Sequence, residues 1–222
     1  SLSNVNKGLI HQSFSSNNNW PYDWSSHVVI LNPIGVPQQQ PIAASEYGSY
    51  FVKEDGSLWA FGHNQNGQLG DGTLINRAYP VKVDDGFVTA VSAHGSYYGR
   101  HVLYRKTDGS AWGMGSSSAG QLGTYKSSVN LPVQLIEANI TAVAAGAKHS
   151  LFLKADGSLL GMGNNVKGQL GDGTNTNSSS LILIESSQVS KIAAGYEHSL
   201  YLKANGSLWA MGNNAYGQLG DG

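Results

Sequence analysis

Cysteine is wholly missing from this chain of 222 residues. That excludes a disulfide framework and thiolate metal sites, and leaves the compartment open. Charge is scarce: 13 basic and 14 acidic residues amount to 12% of the chain. With no basic excess to neutralise a phosphate backbone, nucleic acid is not an expected partner. No acidic or basic tail is present, and no apolar run approaches the roughly 20 residues of a membrane helix, so membrane insertion is not expected. Helical periodicity is missing too, and each of the 29 glycines would cost a helix interior about 1 kcal/mol. The sequence shows no initiating Met and no charged stretch leading into an apolar run, so any export signal is expected to be absent or already removed. Many Asn and Ser with few charges suggest an exported bacterial surface protein. An extracellular or cell-surface location is therefore expected, the cytoplasm being the alternative.

What the chain does have is repetition. Gly-Gln-Leu-Gly occurs at Gly67–Gly70, Gly120–Gly123, Gly168–Gly171 and Gly217–Gly220, at offsets of 53, 48 and 49 residues. The text before it aligns as well. Asp55-Gly56-Ser57-Leu58-Trp59-Ala60-Phe61-Gly62 matches Asn205-Gly206-Ser207-Leu208-Trp209-Ala210-Met211-Gly212. Ala144-Ala145-Gly146-Ala147-Lys148-His149-Ser150-Leu151 matches Ala193-Ala194-Gly195-Tyr196-Glu197-His198-Ser199-Leu200. Repeats of about fifty residues are the period of propeller blades.

Each copy reads as four short strands. The first is small and apolar (Val143 to Ala145), the second runs from His149 to Lys154, and an Asp-Gly hairpin turn leads to the third, Ser158 to Met162. After Gly-Gln-Leu-Gly comes a fourth, Pro132 to Ile136 or Leu181 to Ile184. The runs are nearly continuous in apolar residues, which suits sheets covered on both faces. The expected fold is all-β, with β-propeller blades of four antiparallel strands. Blades converge near an axis, so the Ala-rich strands belong innermost. Trp59, Trp112 and Trp209, with Leu160 at the same place in the third copy, are expected to fill the wide outer wedge. Truncating Trp209 would then cost about 3–5 kcal/mol.

At these residues the chain resembles the regulator of chromosome condensation repeat family. The Ala-Ala-Gly-x-x-His-Ser-Leu strand pair, the Asp-Gly turn, the aromatic-Gly strand and Gly-Gln-Leu-Gly carry the resemblance, from about Ile42 to Gly222. It implies a seven-bladed propeller. The family includes a nucleotide-exchange factor for a small GTPase, a secreted β-lactamase inhibitor and many surface proteins. This sequence departs in the first copy, where Ser45 replaces the Gly and Gly48 the His. It departs again at an insertion, His94-Gly95-Ser96-Tyr97-Tyr98-Gly99-Arg100, ahead of His101. No counterpart of the exchange factor's wedge hairpin is identifiable.

Seven blades would need roughly 350 residues, so the chain reads as a segment of a longer propeller. The alternative is a small ring closed by His27-Val28-Val29-Ile30-Leu31-Asn32 as the missing fourth strand. The expected organisation is an unassigned segment, residues 1–26, followed by four repeats at about 27–72, 73–123, 124–173 and 174–222.

Candidate chemistry is thin. His101, His149 and His198 recur at one place per copy, but a blade's width apart they cannot share a metal. They read as structural, bonding backbone where the second strand begins. Asp71 and Asp172 open Asp-Gly-Thr turns that lack the Gly and Glu of a calcium loop. Asp84-Asp85 reads as a solvated connection. Gln68, Gln121, Gln169 and Gln218 are expected to satisfy loop backbone, with the following Leu plugging the seam between blades. No nucleophile–base pair can be assembled, and no cofactor is expected. The copies vary between the third-strand Gly and Gly-Gln-Leu-Gly, and strand direction puts these loops on one rim with the insertion. Tyr97, Tyr98, Arg100, His63 and Tyr216 are the candidate partner-binding residues, Tyr and Arg being the types that dominate interface energy. The expected function is a non-enzymatic protein-interaction scaffold with a protein partner of unknown identity. The alternatives are a regulator of a small GTPase, a secreted enzyme inhibitor, or a purely architectural repeat.

Overall fold

The computed structural model describes residues 42–94 and 100–221. They form four antiparallel sheets, each a simple meander in chain order. The first blade is β1 (Ile42–Ala44), β2 (Gly48–Val52), β3 (Leu58–Gly62) and β4 (Arg77–Asp84). The second is β5 (Val88–Ala93), β6 (His101–Lys106), β7 (Ala111–Gly115) and β8 (Val129–Ile136). The third is β9 (Ile140–Ala145), β10 (His149–Lys154), β11 (Leu159–Gly163) and β12 (Ser178–Glu185). β13 (Val189–Ala194), β14 (His198–Lys203) and β15 (Leu208–Gly212) make a three-stranded fourth blade. Residues 27–32, expected to supply a fourth strand, lie outside the described residues. Each sequence repeat ends at Gly-Gln-Leu-Gly, so the strand that follows it completes the preceding blade.

The first strands pack in series, β1 on β5, β5 on β9 and β9 on β13. These are the Ala-rich strands, and small side chains are what lets neighbouring sheets converge there. Strand β10, between two blades, is buried at five of its six residues. The hairpin joining second to third strands closes the same way in each copy. Lys53 N donates to Ser57 O and Gly56 N to Lys53 O, both at 2.9 Å. Gly56 has φ +78°, the left-handed conformation that glycine adopts without steric cost.

The wedge is not filled as the sequence suggested. The buried aromatics are second-strand rings, Tyr104 and Phe152, both with no exposed surface. Trp112 and Trp209 lie against second-strand rings of their own blades as partly exposed outer lids, and Trp209, in the three-stranded blade, is 49% exposed. Tyr104 stacks on Trp112 at 6.2 Å and Tyr201 on Trp209 at 6.0 Å between centroids. Each indole Nε1 donates to the serine two residues back, and Lys106 and Lys203 sit 4.9 Å over the rings of Trp112 and Trp209. An indole that keeps its N–H bonded and a cation on its face is suited to a half-wet position.

His101 and His149 are structural in a different manner from the one expected. Their partner is a serine hydroxyl of the next blade. His149 Nε2 lies 2.9 Å from Ser199 Oγ, which in turn donates to Gln169 O at 2.8 Å. His101, Ser150 and Gln121 repeat the arrangement at 3.0 and 2.7 Å. The serine's single proton goes to the carbonyl, so the imidazole Nε2 carries the proton of the other bond. The glycine three residues ahead of His149 and of His198 has a steric cause: a Cβ on Gly146 or Gly195 would collide with the ring of that histidine. Where Gly48 replaces the histidine, Val102 replaces the serine it would have met. Both ends of the bond are lost together.

A second set covaries along the outer part of the seams. Asp84 is no solvated connection. It accepts from Tyr104 Oη and Lys106 Nζ across the first seam, both at 2.8 Å. Burial, then the charge of Asp84, holds the Tyr104 hydroxyl in its protonated form. In the third seam Glu185 pairs with Lys203 at 2.5 Å. The second seam replaces acid, tyrosine and tryptophan with hydrocarbon, Ile136, Phe152 and Leu160 in turn, while its lysine, Lys154, turns to Asp156 at 3.2 Å.

Candidate partner-binding rim

Backbone bonds bring two loops together at the same end of each blade. His63 N donates to Tyr47 O, Ser116 N to Arg100 O, Asn164 N to Lys148 O and Asn213 N to Glu197 O, all at 2.8 Å. The loop after the third strand therefore rides on the residue just before the second.

Much of that loop is scaffolding. Gln68 and Gln169 accept through Oε1 from the N–H of Asn66 and Lys167, and Leu69 and Leu170 are fully buried. This is the loop-satisfying glutamine and plugging leucine that the sequence predicts. Its other fixed member was hidden among residues that look variable. Asn64, fully buried, accepts from Leu69 N and donates to Asp71 and Thr73 O. Asn165 does the same with Leu170, Asp172 and Thr174. The Asp-Gly-Thr segments are thus side-chain-closed turns, with Asp71 also paired to Arg77. The signal for Asn64 was its recurrence as Asn165 and Asn214 at the same step from Gly-Gln-Leu-Gly.

On this frame the structure joins two of the candidate residues. Arg100 Nη1, from the second blade, lies 3.2 Å from both ring nitrogens of His63, from the first. Gln68 Nε2 donates to His63 Nδ1 at 2.8 Å. The guanidinium also lies over the Tyr47 ring at 5.4 Å, and that ring is 6.1 Å from His63. Burial, then the Arg100 charge, lowers the His63 pKa, so the imidazole faces the cation as a neutral acceptor. Tyr216 occupies the same loop of the fourth blade and is 93% exposed. Tyr97 and Tyr98 lie outside the described residues.

Two rim aromatics were missed. Tyr47 is 52% and Tyr196 47% exposed, the latter 6.2 Å from the His94 ring. They fall in the short loop between first and second strands, where the copies read Glu46-Tyr47, Ala147-Lys148 and Tyr196-Glu197. That variation is as legible as the one in the longer loop. Among the described residues no group of three or more His, Asp or Glu is placed to hold a metal. Nor is any helix among them long and apolar enough to cross a membrane.

Comparison with known proteins agrees with this architecture. Profiles of the Regulator of chromosome condensation (RCC1) repeat match residues 55–98, 108–153 and 156–202, and a second profile of that repeat matches 140–169 and 189–218. Protein RCC2 homolog of Xenopus laevis is 33% identical over 104 residues, 45% of this chain and 20% of that protein. Human WBSCR16 superposes with a TM-score of 0.71 at 25% identity, covering 82% of this chain and 50% of that one. Prp20p of Saccharomyces cerevisiae, described with its binding properties to Gsp1p and histones, gives 0.65 at 21%, covering 80% and 44%. The chain spans half or less of the length of each.

Proposed function

Because this chain belongs to the Regulator of chromosome condensation (RCC1) repeat family, we propose that it works as a non-enzymatic scaffold that binds a protein partner through its variable rim, as part of an exported chain. The observation that carries this reading is the cluster of Tyr47, His63 and Arg100, which spans two blades on rigid loops. A guanidinium stacked on tyrosine and held by a neutral imidazole is preorganised, so little side-chain freedom is lost when a partner covers it. Tyr196 and Tyr216 add exposed aromatic surface on equivalent loops, and the place of the insertion in the repeat makes Tyr97 and Tyr98 candidates for the same face. The binding to Gsp1p and histones described for Prp20p makes protein ligands the class to test first. Export rests on composition: few charges and many Asn and Ser.

One experiment addresses both parts. A membrane-impermeant cross-linker is applied to intact cells that make the protein, with wild type compared to a Tyr47→Ser, Tyr216→Ser double variant and to Tyr97→Ser, Tyr98→Ser. The expected result is a cross-linked partner whose affinity for the purified chain drops by about 2 kcal/mol or more in the variants, with melting temperatures nearly unchanged. Protection of the chain from the reagent would defeat the exported location. Equal affinity in all forms would move binding off this rim.

A further inference from the structure

Three seams between blades can be compared, and one of them is open. In the first and third, a third-strand methionine seals the loop ahead of it: Met114 Sδ lies on Gly70 and Met211 Sδ on Gly171. Met162 holds the same place in the second seam, but none of its atoms comes within 4 Å of where a Cβ on Gly123 would lie. The loop differs as well. Gly70 and Gly171 are followed by Asp-Gly, whereas Gly123 is followed by Thr124-Tyr125. Across the first seam Gly72 N donates to Asn130 O and Asn130 Nδ2 to Gly72 O, both at 2.8 Å. Among the described residues no such pair stitches the 123–128 loop to β12.

The result is a cleft of about 720 Å³ between β8 and β12, within the range of known ligand sites. Its floor is Leu122, Val129 and Met162, all buried. Its lips carry Ser, Thr and Asn beside the exposed Leu131 and Leu181, and Lys126 is the only charge among the lining residues. Among the described residues both walls are outermost strands, paired on one side only, so their other edge can receive an added strand. Strands β4 and β8 carry Pro80 and Pro132 at their fourth residue, where β12 carries Leu181. Proline removes a backbone donor, so β12 is the wall that keeps all of its own.

The geometry points to a docking site for an extended peptide segment of a partner protein, with an apolar side chain over Met162 and an adjacent carboxylate paired to Lys126. Backbone groups on the free edge of β12 supply the remaining bonds. The cleft shares no residue with the rim cluster, so the two surfaces can be tested separately.

The test is fluorescence anisotropy with a labelled Thr/Val peptide of about ten residues bearing a central Leu-Asp pair. Matched peptides carry Leu-Lys or Ser-Asp at the centre. The Leu-Asp peptide is expected to bind at least about tenfold more tightly than either. Lys126→Glu should invert the order of Leu-Asp and Leu-Lys. Ser180→Trp, at an exposed lip residue, should remove binding of all three. Thermal melts establish that both variants are folded, neither side chain being part of the core. Equal binding of the three peptides, no binding at about 1 mM, or binding indifferent to both substitutions would each overturn the assignment.

Discussion

At the scale of single residues, the seam histidine is the most informative group. Burial pushes the His149 pKa down from 6.5 to about 3, with the nearby His94 and His198 adding to the effect. An imidazole that cannot take a proton when folded, but does so when unfolded, favours the unfolded chain in acid. The sign follows from linkage: its folded pKa lies below the unfolded one, so the associated stability is complete above about pH 6.5 and is lost as pH falls toward 3. The expected slope is up to about 1.4 kcal/mol per pH unit in that window. Urea midpoints measured against pH should show it. The slope should shrink in His149→Gln, which keeps a donor for Ser199 and has nothing to titrate. A slope unchanged by the substitution would place the acid sensitivity elsewhere.

At the scale of strands and blades, sequence and structure can be compared piece by piece. The second strand, His149 to Lys154, was legible to the residue because a histidine and an Asp-Gly turn bracket it. The third starts one residue late, since Ser158 gives both its N–H and hydroxyl to Asp156 and so belongs to the turn. The fourth begins at Val129 instead of Pro132: proline reads as a boundary, but an outermost strand has no partner on one side and tolerates it. Of the candidate site, repeat alignment gives the shared rim, but the Arg100–His63 contact joins two different blades and no alignment of copies shows it. Tyr47 escaped because its loop is short and its copy is the divergent one. The roles of the aromatics escaped because size alone does not say which of two stacked rings lies underneath. Phe152→Ala should therefore cost about 3–5 kcal/mol and Trp209→Ala only about 1–2 kcal/mol. Chemical unfolding of both variants decides it, and a larger loss for Trp209 would restore the tryptophans to the wedge.

At the scale of the whole molecule, the three seams carry different combinations of two devices. The first has the acid–tyrosine–lysine group and lacks the histidine–serine bond. The second has the bond and lacks the acid and the tyrosine, and the third has the bond beside an acid–lysine pair. Sheets this alike could stack in the wrong order while the chain collapses, a known failing of repeat proteins. Here each junction acts as an address. A histidine delivered against valine leaves a buried polar group with no partner, at about 1–3 kcal/mol, and an acid delivered against Phe152 loses the tyrosine hydroxyl that Asp84 accepts from. Exchanging residues 88–136 with 140–185 would keep every blade intact and scramble only the addresses. Such a transposed chain should melt at a lower temperature and over a broader range than the natural order. If it melted the same way, the blades would be interchangeable bricks. Assembly order in this protein would then be a matter of connectivity alone, with no proofreading written into the joints.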